Sequence, residues 1–248
     1  MLPESISIGP LTLHFYGLII AISIYLGWLL AKRRAPFYKI PPSLLDEPIL
    51  LIPLLFSIIG ARLYHVMDYW DVYIQDLKSI IYISSGGLGI WGALAGAFIG
   101  FWIVAKVKKI NLLALLDLSA PSLLLGQAIG RIGNYINQEG FGPPTNLSWG
   151  VYINPENRPA QFLTSTHFHP TFFYEAILNL LFFFLILKLS KRKRPGQVFA
   201  LYLILYSTGR FLVEFFRIDT ATIDSFKIAQ LLSVITILVG MRLLVKFK

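Results

Sequence analysis

Long apolar stretches recur along the chain, and short polar segments separate them. Each stretch approaches the length of about 20 residues that an α-helix needs to cross the hydrocarbon core of a bilayer. The pattern therefore predicts an all-α integral membrane protein with seven transmembrane helices. The predicted spans are residues 11–31, 49–67, 87–107, 112–130, 171–189, 197–215 and 226–245.

Composition supports this class of protein. Hydrophobic residues make up 56% of the 248 residues and charged residues only 14%, whereas a soluble domain carries roughly 25% charged residues. The chain has no cysteine, which excludes disulfides, thiolate metal ligands and a thiol nucleophile of its own. Its four histidines lack the spacing of metal ligands, so neither a metal ion nor another cofactor is expected.

Basic residues concentrate in alternate polar segments, which the positive-inside rule places in the cytoplasm. The N-terminus and the segments 68–86, 131–170 and 216–225 are then outside, and the C-terminus is cytoplasmic. This arrangement also accounts for the net charge of +9 without nucleic acid as a partner. The residues assigned to the cytoplasmic side are Lys32, Arg33, Arg34, Lys39, Lys106, Lys108, Lys109, Lys188, Lys191, Arg192, Lys193, Arg194, Arg242, Lys246 and Lys248.

No internal repeat divides the chain, so we expect a single polytopic membrane domain over residues 1–248. The segment at about 134–170 contains several prolines and aromatic residues, and we expect it to form a small extracytoplasmic cap. In the third span, Gly92, Gly96 and Gly100 recur every four residues. This spacing predicts close packing against another helix.

A few charged residues lie outside the cytoplasmic set. Arg62, Arg131 and Arg210 fall within or at the end of apolar spans, where an ion costs about 2.5–3.5 kcal/mol or more unless it faces a partner, a cavity or water. Asp117 lies in the inner part of the fourth span and is expected to interact with a helix N-terminus rather than take part in catalysis. Three residues in loops are expected to be solvated: Lys78, Arg158 and Lys227.

The sixth span carries a polar face. Tyr206, Arg210, Glu214 and Arg217 follow one another at intervals of four, four and three residues, which places them on one side of a helix. One interpretation is an intrahelical ladder of Arg and Glu that holds the end of the helix. The other is an anion site, in which a guanidinium binds a phosphate and Glu214 fixes its orientation.

Residues 130–142 are rich in glycine and amides, which predicts irregular backbone after the fourth span instead of a continuous apolar helix. The segment resembles the signature of the bacterial phosphatidylglycerol–prolipoprotein diacylglyceryl transferases, G-R-x-G-N-aromatic-x-N-x-E-x-x-G, and it meets every fixed position from Gly130 to Gly142. Other motifs of this family resemble HFYG at 14–17, GGLGIWG at 86–92, HPTFFYE at 169–175, and the Y-x-x-x-R-x-x-x-E pattern from Tyr206 to Glu214.

The resemblance implies a transferase of the bacterial inner membrane that acts in lipoprotein biosynthesis. Such an enzyme moves the diacylglyceryl group of phosphatidylglycerol to the lipobox cysteine thiol of a prolipoprotein signal peptide. A thioether forms and glycerol phosphate leaves. The nucleophile belongs to the substrate, which agrees with a cysteine-free enzyme, and the leaving phosphate ester needs fixed positive charge nearby. The alternatives are another phospholipid-headgroup transferase and an anion or lipid transporter.

The motif positions assign roles to individual residues. Arg131 and Arg210 are expected to bind the phosphate, and Glu214 or Glu139 to orient them. The expected catalytic residues are Arg131, Arg210, Glu139 and Tyr16. The expected substrate-binding residues are Arg131, Asn134, Asn137, Gly142, Tyr206, Glu214, His169 and Trp91.

One position departs from the family pattern. Some members have a histidine, a candidate base for the thiol, where this chain has Trp91. An indole donates a hydrogen bond but cannot accept a proton. The alternatives for the base are a bound water, a thiol whose pKa the arginines lower, or one of the side chains His14, His169, Glu139 and Glu175.

Overall fold

The computed structural model describes residues 5–8, 11–82, 86–190, 194–224 and 226–247. Four residues of the predicted cytoplasmic set, Lys191, Arg192, Lys193 and Lys248, lie outside these ranges. The described residues are mainly helical, with three two-stranded antiparallel sheets. The helices are α1 (Phe15–Arg34), α2 (Ile52–Asp68), α3 (Trp70–Tyr73), α4 (Ile90–Val107), α5 (Leu112–Ile136), α6 (Thr171–Leu189), α7 (Gln197–Glu214) and α8 (Ile228–Lys246). The paired strands are β1 (Ser5–Ile8) with β2 (Leu11–His14), β3 (Val151–Tyr152) with β4 (His167–Phe168), and β5 (Thr222–Ile223) with β6 (Phe226–Lys227).

Within the described ranges, six helical segments are long and apolar enough to cross a membrane, which confirms a multi-pass helical membrane protein. They are Phe15–Tyr38, Pro48–Asp68, Ile90–Val107, Leu112–Ile136, Thr171–Leu189 and Ile228–Lys246. Helix α7, predicted as the sixth of seven spans, is not among them. It carries Gln197, Arg210 and Glu214 within its 18 residues, and the seventh span stays a prediction.

The fourth predicted span is longer than its sequence indicated. Helix α5 continues through Gly130, Arg131 and Gly133 to Ile136, so the expectation of irregular backbone is wrong for residues 130–136. Glycine lowers helix propensity, but packing overrides it here. A Cβ at Gly133 would lie 2.5 Å from the Tyr16 ring, so the glycine lets α1 approach α5 closely. The first predicted span begins later than expected, because residues 11–14 form β2.

The chain forms two compact units, Met1–Ala31 with Asp117–Lys248, and Lys32–Leu116. The prediction of a single domain over 1–248 stays a prediction. In the smaller unit, α2 and α4 pack backbone against backbone at the glycines. A Cβ at Gly92 would lie 1.9 Å from the carbonyl oxygen of Gly60, and one at Gly96 would lie 2.0 Å from that of Phe56. The close packing predicted from the glycine spacing is therefore confirmed.

Arg62 lies in the same unit and is 5% exposed. Its guanidinium donates hydrogen bonds of 2.5–3.2 Å to five backbone carbonyls, and it lies 5.1 Å from the Tyr73 ring centroid. The expectation that this arginine faces a partner is confirmed, because the loop before α4 supplies its partners. The carbonyls belong to Ser79, Ile80, Tyr82, Gly86 and Gly87.

In the larger unit, Asp117 holds the start of α7. Its Oδ2 accepts a 2.7 Å hydrogen bond from the Gly196 amide and its Oδ1 a 2.7 Å bond from the Phe199 amide. These amides belong to the first turn of α7, where a helix has unpaired N–H groups. The expected interaction with a helix N-terminus is confirmed, but the helix is α7 and not the one that contains Asp117.

The segment between α5 and α6 surrounds a small apolar cluster of Phe141, Ile153, Phe168 and Phe172. Arg158 donates to the carbonyls of Ile153 at 2.9 Å and Leu163 at 3.0 Å, so the expectation that it is solvated is wrong. The physical reason is that these irregular loops contain carbonyls without partners in secondary structure.

Lys227 is also more than a solvated loop residue. Its Nζ donates to the carbonyls of Glu214 at 2.6 Å and Arg217 at 2.7 Å. The last carbonyls of a helix have no partner within the helix, and Lys227 supplies one at the end of α7. The expectation of solvation is therefore wrong for this residue, whereas Lys78 is exposed as expected.

Candidate functional site

Glu175, in the first turns of α6, joins the two arginines that the sequence singled out. Its Oε1 accepts a hydrogen bond from Arg131 Nη2 on α5, and its Oε2 lies 3.2 Å from Arg210 Nη1 on α7. The Glu175 side chain is 2% exposed, while those of Arg131 and Arg210 are 22% and 20% exposed. Three helices thus place two partly accessible guanidinium groups on opposite oxygens of one buried carboxylate.

The network continues from Arg131 along the signature segment. Arg131 Nη1 donates to Asn134 Oδ1 at 2.9 Å, and Asn134 Nδ2 donates to Glu139 Oε1 at 2.9 Å. The helical turn of α5 brings Arg131 and Asn134 together because residues three apart lie on one face. The Glu139 amide also bonds to the Asn134 carbonyl at 2.9 Å, which turns the chain out of the helix. Glu139 is therefore connected to Arg131 through one amide side chain.

On the other side, Arg210 pairs with Glu214 one turn along α7, with Nη2 2.6 Å from Oε2. The Glu214 side chain is fully buried, and Thr220 Oγ1 donates to its other oxygen. The intrahelical pair expected from spacing is confirmed, but Arg210 also reaches Glu175 on α6. Arg217 lies past the end of α7 and pairs with Asp219 at 2.8 Å, so it does not continue the ladder.

Both candidate tyrosines lie near Arg131. The Tyr16 ring packs on Gly133, two residues after Arg131 in α5. Tyr16 and Tyr206 are close enough to Arg131 to interact with it electrostatically. Tyr206 also interacts in this way with Glu175 and Arg210. Its ring stacks on Tyr202, with centroids 5.8 Å apart and an interplanar angle of 13°. The structure thus brings both phenols to the arginine network.

Gly142 and His169 meet just before the start of α6. The Gly142 amide donates to the His169 carbonyl at 2.8 Å, and a Cβ at Gly142 would lie 2.4 Å from the Phe216 carbonyl oxygen. Any larger residue would push these segments apart. His169 Nδ1 lies 3.0 Å from the Tyr174 hydroxyl, which also accepts from Trp149 Nε1 at 3.0 Å. Glu175, which follows Tyr174 in the sequence, is the carboxylate that bridges Arg131 and Arg210.

Asn137 and Trp91 are two further residues that the sequence predicts for the site. Asn137 lies one residue past α5, and the part of the chain that the structure describes shows no hydrogen bond of its side chain. Trp91 belongs to the other compact unit, in the first turn of α4, and is 48% exposed. Their roles in substrate binding stay predictions.

The sequence did not assign Glu175 its bridging role. Glu139 or Glu214 was expected to orient the arginines, whereas the shared carboxylate comes from α6. The motif HPTFFYE contained the signal, since an acidic residue near the start of an apolar span needs a positive partner. Gln138 was also missed. It has a positive φ of 52°, and its Oε1 accepts a 2.7 Å bond from the Asn154 amide, which connects two parts of the segment between α5 and α6.

The segment between α5 and α6 also contains a polar cleft of about 840 Å³. Two loops, 144–150 and 164–167, line it with hydroxyl and amide groups that include Thr145, Asn146 and Ser148. The β3–β4 pair holds the loops together, and Pro144 bridges to Phe168. The cleft offers hydroxyl, amide and imidazole groups as hydrogen-bond partners.

The two guanidinium groups of the arginine network keep donors that an anion can bind. A guanidinium has five N–H donors. In Arg131 and in Arg210, the contacts described above use one N–H of Nη1 and one of Nη2. The remaining donors of each guanidinium are available to a ligand. Glu175 and Glu214 fix both side chains in advance, so little reorganisation is needed when negative charge arrives. The described residues contain no group of three or more His, Asp or Glu that could hold a metal ion.

Comparison with known proteins identifies the family to which the chain is similar. Residues 3–246 match the family model described as prolipoprotein diacylglyceryl transferase. A protein of Acaryochloris marina is 39% identical over 243 residues, covering 96% of this chain and 88% of its own. One of Finegoldia magna is 37% identical over 245 residues, covering 98% and 94%. One of Fervidobacterium nodosum is 41% identical over 236 residues, covering 94% and 80%. All three are named phosphatidylglycerol–prolipoprotein diacylglyceryl transferase.

Proposed function

The chain belongs to the prolipoprotein diacylglyceryl transferase family, and we propose that its two substrates meet at the network of Arg131, Glu175 and Arg210. The protein is a transferase that catalyses the first step of lipoprotein maturation. Its donor lipid is phosphatidylglycerol and its acceptor is a prolipoprotein. Membership of this family favours that reaction over transport and over transfer to another acceptor.

We further propose the finer topology that the charge pattern predicts. Helix α7 crosses the bilayer as a seventh span, the N-terminus lies outside and the C-terminus lies in the cytoplasm of a bacterial cell whose inner membrane holds the protein. Residues 1–248 then form one membrane domain, and segment 134–170 is an extracytoplasmic cap. In this orientation Arg131 and Arg210 lie near the outer ends of their spans, at the depth of lipid headgroups.

The observation that carries the placement of the site is the single buried carboxylate between two arginines. The phosphate of phosphatidylglycerol binds to the guanidinium donors that Glu175 leaves available, and the paired N–H groups match its oxygens. As the bond between the third glycerol carbon and its phosphate oxygen breaks, negative charge grows on the leaving glycerol phosphate. Fixed guanidinium groups stabilise that charge most where it develops.

The acceptor is the thiol of the lipobox cysteine, whose sulfur forms a new bond to the third glycerol carbon. Its proton must pass to a base. Both oxygens of Glu175 are held by arginines, whereas His14 and His169 stay alternatives for the base. We assign the base to Glu139, an exposed carboxylate that Asn134 connects to Arg131. The nearby arginines favour the thiolate form of the cysteine.

The other predicted residues take supporting roles. Tyr16 and Tyr206 orient the lipid oxygens or the arginines through their hydroxyls, and Glu214 fixes Arg210. Gly142 allows the cap to approach α6 and α7, and the cap cleft receives the polar end of the signal peptide. The remaining substrate-binding assignments are Asn134, Asn137, His169 and Trp91.

Purified full-length protein, supplied with phosphatidylglycerol and a lipobox peptide in detergent, tests this assignment. Mass spectrometry of the peptide measures thioether formation. Arg131→Ala and Arg210→Ala are each expected to lower kcat by about 10²–10³, the loss typical of removing one stabilising donor. Arg242→Ala, at an exposed arginine of α8, is the matched control and keeps full activity. Full activity in both site variants would overturn the phosphate assignment, and no product from the unaltered protein would overturn the function.

A further inference from the structure

A second polar layer lies beside the arginine network, about one helical turn from Arg131 along α5 and from Glu175 along α6, and about two turns from Arg210 along α7. Gln127 precedes Arg131 by four residues in α5, and Asn179 follows Glu175 by four in α6. Residues four apart lie on one face of a helix, about one turn of 5.4 Å from each other. Gln127 and Asn179 are therefore on the faces of α5 and α6 that carry the site.

Helix α7 completes the layer through a direct contact. Gln127 Nε2 lies 3.0 Å from the hydroxyl of Tyr202, whose ring stacks on Tyr206. Beyond this contact the three helices pack through apolar side chains, since Leu124, Phe183 and Tyr202 belong to one buried cluster. The polar layer thus lies between the arginines and an apolar core.

Two polar groups in the layer are buried without a partner among the described residues. Asn179 is 1% exposed and its Nδ2 has no acceptor, and the Oε1 of Gln127 has no donor. Nearly all buried polar groups in proteins are hydrogen-bonded, because an unpaired one keeps the full cost of its desolvation. A buried amide without a partner beside a ligand site can gain its missing hydrogen bond from the ligand.

The chemistry of the layer identifies that part of the ligand. The Asn179 amide offers a donor. Gln127 and Tyr202 together offer a second one, because the Tyr202 hydroxyl that accepts from Gln127 still has its own proton. If the Gln127 amide is turned end for end, Oε1 accepts the Tyr202 proton and Nε2 becomes the free donor. In the first orientation Gln127 Oε1 stays an unpaired acceptor. The second orientation pairs Oε1 with the Tyr202 proton and presents two donors, Asn179 Nδ2 and Gln127 Nε2, which suit two acceptors that have no proton.

We propose that Asn179 and the Gln127–Tyr202 pair bind the two ester carbonyls of the diacylglyceryl group that is transferred. The proposal rests on the proposed function, since it places the lipid phosphate at Arg131 and Arg210. The ester carbonyls of phosphatidylglycerol lie a few covalent bonds from the phosphate toward the acyl chains, a reach comparable to one helical turn. The acyl chains then continue along the apolar cluster of Leu124 and Phe183. The layer would hold the reacting third carbon of glycerol at a fixed height below the arginines.

The test compares phosphatidylglycerol carrying ester-linked chains with the same lipid carrying ether-linked chains. The bond that breaks is at the third glycerol carbon, so ether linkages leave the reaction itself unchanged and remove only the two carbonyls. The unaltered protein is expected to show a KM about tenfold lower for the ester lipid, the size expected for one or two neutral hydrogen bonds. Asn179→Leu and Gln127→Leu are each expected to lose much of this preference.

Thr208→Val is the matched control, because the Thr208 hydroxyl donates to the Ile204 carbonyl of its own helix at 2.8 Å. It is expected to keep the ester preference. Activity of the variants on the ether lipid shows that they are folded. Equal KM values for both lipids in the unaltered protein, or full preference in both leucine variants, would overturn the proposal. Absence of thioether product with either lipid would instead overturn the proposed function.

Discussion

Two regions of the molecule hold arginine within apolar helices, and they do so in different ways. In the unit 32–116, Arg62 is 5% exposed and is surrounded by five backbone carbonyls. In the other unit, Arg131 and Arg210 are 22% and 20% exposed and are held by carboxylates. The same residue type is thus used once to organise a loop and twice to form a site.

The number of donors in use accounts for this difference. The five contacts of Arg62 involve Nε, Nη1 and Nη2, which matches the five N–H donors of a guanidinium. A ligand would have to displace backbone carbonyls to bind there. Arg131 and Arg210 are instead fixed through side-chain contacts and remain partly accessible. A buried arginine indicates an anion site only when its partners leave donors toward solvent or lipid.

Among the substitutions that test this comparison, we expect the largest effect from the loss of the Arg62 side chain. Arg62→Ala leaves several buried carbonyls without a donor, and we expect it to destabilise the fold by about 3–5 kcal/mol, the range for breaking a buried charged partnership. The midpoint of thermal unfolding in detergent measures this. Lys78→Ala, at an exposed lysine of the same unit, should leave the midpoint nearly unchanged. Equal midpoints in both variants would show that the carbonyls find other partners.

Glu175 provides the next test, because Arg131 and Arg210 share this carboxylate partner, whereas the partners of Arg62 are backbone carbonyls. Glu175→Gln keeps the shape of the side chain but removes the charge shared by Arg131 and Arg210. We expect kcat/KM for thioether formation to fall about 10–100-fold, since a hydrogen bond to a charged group is worth roughly 1.5–3 kcal/mol. Glu156→Gln, at an exposed carboxylate of the cap, should keep the activity. Unchanged kcat/KM in Glu175→Gln would mean that the arginines orient themselves without it.

Much of the helical framework could be predicted from the sequence alone. Helix α6 was predicted at 171–189 and is found there, because a proline and a dense apolar run define its bounds. Helix α5 was predicted too short, since Gly130, Gly133 and Asn134 read locally as a break. In the structure these residues are helical, and the Tyr16 ring packs on Gly133 among them. Sequence pattern does not contain that contact between distant segments.

The site was predictable to a similar extent. Arg131 and Arg210 stood out because charge is costly in a span, and Glu214 because it lies one turn from Arg210. The carboxylate that joins the two arginines comes from a third helix, 44 residues from Arg131 and 35 from Arg210 in the chain. Spacing within one helix cannot indicate such a partner. The same applies to Asp117, whose partners on α7 are 79 and 82 residues away.

Asp117 gives the smallest expected effect and extends the comparison to carboxylates that bind backbone amides. In the larger unit, Asp117 is 1% exposed and binds two amides at the start of α7, whereas in the smaller unit Asp76 is exposed and accepts from the Lys78 amide at 3.1 Å. We expect Asp117→Ala to destabilise the protein by about 0.5–2 kcal/mol, the cost of losing a helix cap, and Asp76→Ala to cost less because water replaces the lost bond. Unfolding midpoints of both variants measure the difference. Because α7 carries Arg210, Asp117→Ala should also weaken thioether formation at temperatures near the unfolding midpoint of that variant. Asp76→Ala should not weaken it. Equal unfolding midpoints and equal activities of the two variants would show that α7 does not depend on this cap.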